Sequence, residues 1–227
     1  MDPIFAELGL DVSQQQLPPY IAIEGCIGVG KTTLARNLAQ LFNYEMLLEN
    51  PEQNPFLERF YREPKSAALA TQLYFLFQRA EQIAHLEQTC DTTRYRIADF
   101  LLDKDQLFAR TTLDDDEFSI YRKVYERTIT TAPRPDLVIY LQAPLPVLSE
   151  RIRHRGVGVE QNINLEYLAA LNDAYMEFFH YYDAAPLLIV NAQDLNLATN
   201  RDHFKQLVEH ILTIKTGRHY YNPIPAL

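Results

Sequence analysis

The chain has 227 residues, 47% hydrophobic and 22% charged, which suits a globular protein with enough length for one full α/β domain. Its net charge of −9 argues against the basic surface of a general nucleic-acid binder, though not against a local cationic site for a phosphate. Two cysteines, Cys26 and Cys90, stand in no metal or disulfide spacing, so a reducing, cytoplasmic setting is expected. No secretory pattern and no membrane-spanning apolar run is read.

Residues 1–18, with DVSQQQLPP, read as a polar N-terminal arm. YIAIEG (20–25) is a buried-strand run ending at a glycine turn. KTTLARNLAQLF then places Leu34, Leu38 and Leu41 on one helical stripe. YEMLLEN (44–50) is a second strand, NPFLERFY (54–61) a helix, and Pro64 opens a long helix over 64–88. RYRIADF (94–100) is a third strand ending in an acid, Asp99. Two helices follow, DKDQLFART and DDDEFSIYRKVYERTI; the acid run 114–117 falls at a helix start, where it complements the dipole. Strand DLVIYLQA (136–143), helix 144–156, a tyrosine-rich helix over 164–183, strand PLLIVNA (186–192) and a helix near 199–215 complete the order. This alternation predicts a three-layer α/β sandwich, a five-stranded parallel sheet flanked by helices. One domain over 19–216 is expected, with a tail over 217–227.

Gly25-Cys26-Ile27-Gly28-Val29-Gly30-Lys31-Thr32 fits G-x-x-x-x-G-K-[ST] between a strand and a helix, the context that a P-loop requires. Glycines let successive N–H groups converge on a phosphate, and the helix N-terminus adds positive potential. Lys31 neutralises β/γ oxygens and the Thr32 hydroxyl suits Mg²⁺, with Thr33 completing the ATP-binding run. The chain has no N-K-x-D guanine reader and no apolar strand ending in paired acids. A small-metabolite kinase therefore fits better than a GTPase or a motor.

In a parallel sheet, ligands sit at the carboxyl ends of strands. Glu49, read at the end of the second strand, would share that crevice with Lys31 and act as base toward a hydroxyl acceptor. The alternative is a solvated loop carboxylate. In ERIRHRG, Arg151 and Arg155 share a helix face while Arg153 points away. The pair suits an arginine-bearing lid over a migrating phosphoryl group; the plainer reading is a helix end matched to its dipole and capped by Gly156.

Glu49, Asn54-Pro55-Phe56-Leu57, Phe60-Tyr61, Pro64, Gln72-Leu73-Tyr74 and Arg79 together resemble the deoxynucleoside kinases. DLVIYLQAPLPVLSERIRHRG resembles that family's strand and lid helix, and INLEYLAALNDAY its next helix, so the likeness runs over about 19–215. The resemblance implies transfer of phosphate from ATP, with Mg²⁺, to the 5′-hydroxyl of a deoxynucleoside. It also implies a homodimer through the long helices. Glu49 would be the base, with Lys31, Arg151 and Arg155 on the phosphoryl group. Thr32 directly, and Asp99 through water, would hold Mg²⁺. Gln72 matches an amide that reads the base edge, or is a polar patch on a packed helix. Arg79 would serve the base pocket or hold Glu49, and Tyr61 and Glu166 resemble the pair on the 3′-hydroxyl.

One stretch departs from the pattern. Many members carry Glu-Arg-Ser after the third strand, where this chain has Asp99-Phe100-Leu101; the acid is kept and the arginine lost. ADFLLDKDQLFA instead resembles the bacterial purine-type branch, the deoxyguanosine and deoxyadenosine kinases. Lys104 is either the replacement cation or a surface lysine. Asp105 matches a position that faces the nucleobase, where an acid suits the donor edge of guanine or the amino group of cytosine. Two other readings compete: a nucleoside monophosphate kinase, with Arg79 as the cation for the acceptor phosphate, and a regulatory protein that binds nucleotide without transferring it.

Overall fold

The apolar runs and amphipathic stretches resolve, in a computed structural model, into alternating strands and helices. Residues 12, 15–88, 95–129, 133–196 and 200–223 are described. Cys90, most of the N-terminal arm and the last four residues of the tail lie outside them. In chain order the elements are β1 (Tyr20–Gly25), α1 (Lys31–Phe42), β2 (Glu45–Leu47), α2 (Leu57–Arg62), α3 (Pro64–Gln88), β3 (Arg96–Ala98) and α4 (Lys104–Thr112). There follow α5 (Asp115–Thr128), β4 (Leu137–Gln142), α6 (Leu145–Arg155), α7 (Leu165–Tyr181), β5 (Leu187–Asn191), α8 (Arg201–Ile211) and β6 (Arg218–Tyr221).

The strands form one sheet in the order β2-β3-β1-β4-β5-β6, parallel throughout. The sheet has six strands rather than the expected five. The sixth comes from the stretch read as a tail, with Arg218 opposite Leu187 and Tyr221 opposite Val190. RHYY is short and polar, and its residues alternate exposed and half-buried. An edge strand has one neighbour and needs no apolar run, so the sequence pattern does not reveal it.

β1 is buried along its whole length and β4 as far as Leu141, as parallel strands covered on both faces must be. Leu34 and Leu38 of α1, Leu171 and Phe179 of α7, and Leu207 and Ile211 of α8 close over them in one apolar cluster. Tyr140 of β4 stacks on Phe179 with ring centroids 4.1 Å apart. A second cluster, Leu76, Ala109 and Tyr121, joins α3, α4 and α5. The helix ends follow local chemistry: Asp114 accepts a hydrogen bond from the Glu117 amide to cap α5, and Gly156 takes a left-handed conformation after α6.

β2 and β3 are shorter than the sequence suggests, three residues each. The chain leaves the sheet early there, so Leu48–Asn50 and Asp99–Leu102 become loops beside the β1–α1 turn. These three loops share the carboxyl edge of the sheet, where the polar residues gather. No helix among the described residues is long and apolar enough to cross a membrane.

Candidate active site

The β1–α1 turn depends on its glycines. Gly28 has φ +83° and Gly30 +109°, and a Cβ on Gly28 would stand 2.7 Å from Ile152 Cγ1 and 2.9 Å from the Leu148 carbonyl. The turn therefore lies directly against α6. Lys31 Nζ donates to the Gly25 carbonyl at 2.7 Å, which folds the ammonium back over the loop it closes. Cys26 turns the other way, into the core, where burial pushes its thiol up to about 12.

Asp99 links the three loops. Its Oδ2 accepts from the Thr32 hydroxyl at 2.6 Å and its Oδ1 from the Glu49 amide at 2.8 Å. The Leu48–Asn50 loop is also pinned from α3, where Gln82 Nε2 donates to the Leu48 carbonyl at 3.0 Å. Glu49 thus enters the crevice from a loop held on two sides, two residues beyond the end of β2.

The Glu49 carboxylate is bound by two cations. Arg79 Nη2 holds Oε1, and Lys104 Nζ holds Oε2 at 2.9 Å. Burial alone would raise its pKa, but Lys104 and Arg79 together take it down to about 2, so Glu49 is a carboxylate at neutral pH. Arg79 also pairs through Nη1 with Asp105, where burial outweighs the two cations and pushes the acid up to about 6. Lys104 Nζ stands 3.6 Å from Glu24 Oε2. Lys104 is therefore a buried cation beside Glu49, not a surface residue, at 1% exposure.

A cavity of about 250 Å³ opens at this point, lined by Glu49, Tyr61, Gln72, Arg79, Lys104 and Glu160 among others. Three buried polar atoms on its wall lack a hydrogen-bond partner: Thr71 Oγ1, Arg79 Nε and Glu160 Oε2. Orphaned polar atoms are rare in folded proteins, and several around one cavity indicate a polar ligand. A second cavity runs along the glycine turn to Arg151 and the loop Ala192–Asn196. The two share Gly28, Lys31, Thr32, Arg36 and Arg155, so the phosphate cradle is the door between them.

Most of the predicted site residues converge here, and three are placed differently. Glu166 is exposed at the start of α7 and lines neither cavity; its amide donates to Asn164 in the helix cap. Glu160, in the 3-10 turn before it, lines the cavity instead, with Arg155 Nη1 3.3 Å from its Oε1. The lid bends back over α2 at that turn, so the nearer acid points inward. Asp105 stands behind Arg79 rather than on the cavity wall. Arg151 is held by backbone: Nη1 donates to the Val29 carbonyl at 3.2 Å, and Nη2 to those of Ala192, Gln193 and Leu195 at 2.8, 3.2 and 3.0 Å. It straps the cradle to the loop after β5. Sequence reasoning missed Glu160, Arg36 and Glu24. Glu24 is a fully buried carboxylate in an otherwise apolar strand run, which was itself the cue.

The model of the family described as deoxynucleoside kinase matches residues 21–215. The chain belongs to the deoxynucleoside kinase family. It is 35% identical to a deoxyguanosine kinase of Bacillus subtilis over 85% of this chain and 96% of that one. A deoxyadenosine kinase of Dictyostelium discoideum is 35% identical over 70% of this chain and 66% of its own length. Among solved structures, a deoxyadenosine kinase from M. mycoides with bound dCTP superposes with a TM-score of 0.73 at 27% identity. That match covers 85% of this chain and 98% of the other. The enzyme is therefore a phosphotransferase, and its fold is that of the P-loop kinases.

Proposed function

We propose that the enzyme transfers the γ-phosphoryl group of ATP, with Mg²⁺, to the 5′-hydroxyl of a deoxynucleoside, with a purine preferred. The observation that carries this reading is that Glu49 and Lys31 face one cavity, joined through the glycine turn to a second. A hydroxyl acceptor and a triphosphate donor can thus meet at Lys31. The deoxyguanosine and deoxyadenosine kinases among the relatives support the purine preference.

The donor lies along the turn, its phosphates on the amides of residues 28–33 and its base against the loop after β5. The acceptor base faces Gln72, whose amide offers both a donor and an acceptor, and the side of Arg79. Tyr61 and Glu160 hold the sugar 3′-hydroxyl, the role that the sequence assigned to Tyr61 and Glu166. The 5′-hydroxyl then sits on Glu49. Its oxygen bonds to the γ-phosphorus as the bond from that phosphorus to the bridging oxygen breaks, and Glu49 takes the proton. A carboxylate with so low a pKa is a weak base, but in a loose transition state the proton leaves late, and orientation matters more. Lys31 and Arg155 spread over the phosphoryl charge. The hydroxyl of Thr32 and the carboxylate of Asp99 are hard oxygen donors that fit Mg²⁺; when bound, the ion neutralises β and γ oxygens.

Arg151 acts by holding the donor-side loop, not by touching the phosphoryl group. Arg151→Ala is expected to raise KM for ATP about tenfold, the loss of roughly one good hydrogen bond's worth of loop order, and to leave KM for the deoxynucleoside unchanged. A fall in kcat with KM for ATP unchanged would return Arg151 to the phosphoryl group.

Phe77 on α3 and Ile120 on α5 are about half exposed, 48% and 50%, on helices that pack together, and the homodimer contact is assigned to that face. The acidic surface and buried thiol suit a cytoplasmic enzyme that binds no nucleic acid. A monophosphate kinase is disfavoured, because Glu49 would repel an acceptor phosphate and Arg79 is already paired on both sides. The deciding experiment is an assay of the four deoxynucleosides and their monophosphates with ATP. Turnover of the deoxynucleosides, purines fastest, is expected; turnover of monophosphates alone overturns the reading.

A further inference from the structure

A third cavity, of about 560 Å³, opens at the carboxyl edge of the sheet beyond β4, β5 and β6. Its size is that of a small-molecule pocket, and it borders neither Glu49 nor Lys31. The strands place its walls. Tyr140 of β4 stacks on Phe179 of α7, so alternate residues of β4 face that helix. Gln142, two residues on, ends the strand on the same face. Its register partner is Asn191 of β5, and Asn191 Nδ2 donates to Asn222 Oδ1, just beyond β6, at 2.7 Å. The ends of these neighbouring strands thus present a row of amides to the cavity. Ile189 and Tyr220, register partners one level down, line it beneath the amides, and Asn172 and Met176 of α7 line it from the helix.

Two of these amides have unused hydrogen-bonding capacity. Asn172 is 9% exposed, and its side chain has no hydrogen-bond partner among the described residues. The side chain of Gln142 has none there either. A buried amide without a partner is costly, and both of these line a cavity that can hold one. An amide offers a donor and an acceptor side by side, so the matching ligand carries the complementary pair on one edge. Among the described residues no charged side chain lines the cavity. A phosphate or carboxylate would enter it without a counter-charge, so the ligand is neutral there. The ring of Tyr220 and the thioether of Met176, both exposed at this site, suit the face of a flat heterocycle.

We propose that this cavity is a second, non-catalytic site for an uncharged nucleobase, which sets its hydrogen-bonding edge on Asn172 and Gln142 and its ring against Tyr220 and Met176. The position agrees with the general placement of ligands outside the carboxyl ends of parallel strands. It is separate from the acceptor cavity, with which it shares no residue. It meets the donor cavity at Gln193 alone, which lines both. The Gln193 amide donates to Asn191 Oδ1 at 3.0 Å, so the amide row is tied to the loop that borders the donor. The proposal stands apart from the reading of Glu49 and the acceptor, because none of its residues takes part in that chemistry.

The test uses adenine and cytosine as free bases, with a non-hydrolysable ATP analogue filling the donor cavity. A crystal structure of the wild-type enzyme with either base is expected to show it within about 3 Å of the Asn172 and Gln142 amides. A base found only in the acceptor cavity, or nowhere, overturns the proposal. Calorimetric titration gives the solution arm. Asn172→Leu keeps the size of the side chain and removes its donor and acceptor, so the affinity at this site should fall at least about tenfold. Without added base, kcat and KM for both substrates should stay within about twofold of wild type, since residue 172 lines neither other cavity. An isotherm unchanged by Asn172→Leu overturns the proposal, and so does a base seen in the crystal but silent in titration, which is binding at crystal concentration only. If Asn172→Leu does not fold, Gln142→Leu, at a half-buried strand end, gives the same reading.

Discussion

Glu49→Gln is expected to lower kcat by about 10²–10⁴-fold, the range for a positioned acid–base group, while ATP affinity stays within about twofold. The substitution keeps the shape of the side chain, and the donor cavity does not include residue 49. What it removes is a proton acceptor, and with it the charge that Lys104 and Arg79 now share. Steady-state kinetics with the preferred deoxynucleoside, alongside calorimetric titration with an ATP analogue, measure the two quantities separately. Unchanged kcat excludes Glu49 as the base. Lost ATP binding would instead mean that the Glu49 charge, through its pairs with Lys104 and Arg79, holds the cradle in shape.

The largest expected effect on stability comes from Gly25→Ala. Gly25 ends β1 with φ +149°, a conformation that strains any residue with a side chain. A Cβ there would run into the Leu141 carbonyl of the neighbouring strand and stand 2.9 Å from Val29 Cγ1. Leu141 is the register partner of Gly25 in the centre of the sheet, so the backbone cannot step aside without disturbing β4. Strain and overpacking each cost about 1–3 kcal/mol, and a total of about 3 kcal/mol or more is expected. Urea denaturation should show a lowered midpoint with the slope unchanged. A midpoint within error of wild type would mean that the β1–α1 turn relaxes at no cost.

The cradle was legible because its chemistry is local. A glycine turn, a lysine and a threonine within eight residues must fold together whatever surrounds them. Glu49, Gln72 and Arg79 were legible for another reason: their spacing and flanking residues match a family pattern. Glu160 was not. Glu160 in the 3-10 turn and Glu166 in the first turn of α7 lie six residues apart, and no periodicity says which of two nearby acids points inward. The bend of the lid decides it. The backbone contacts of Arg151 were hidden for a similar reason. A guanidinium near a phosphate site suggests a phosphate, and the sequence does not show that four backbone carbonyls from two distant segments also reach it. β6 escaped notice because an edge strand carries no buried pattern.

The sequence alone determined the fold class, the phosphate cradle and the family, all written in short stretches where neighbouring residues constrain one another. Tertiary structure alone decided what each charge does. It took Lys104 from a candidate surface residue to the buried partner of two carboxylates, moved Asp105 behind Arg79, and made Glu24 an anchor beneath the cradle. A charge in a sequence carries no partner with it. Partners 26 to 80 residues away meet only when the sheet is assembled, and in a dry crevice the partner, more than the residue, sets the chemistry.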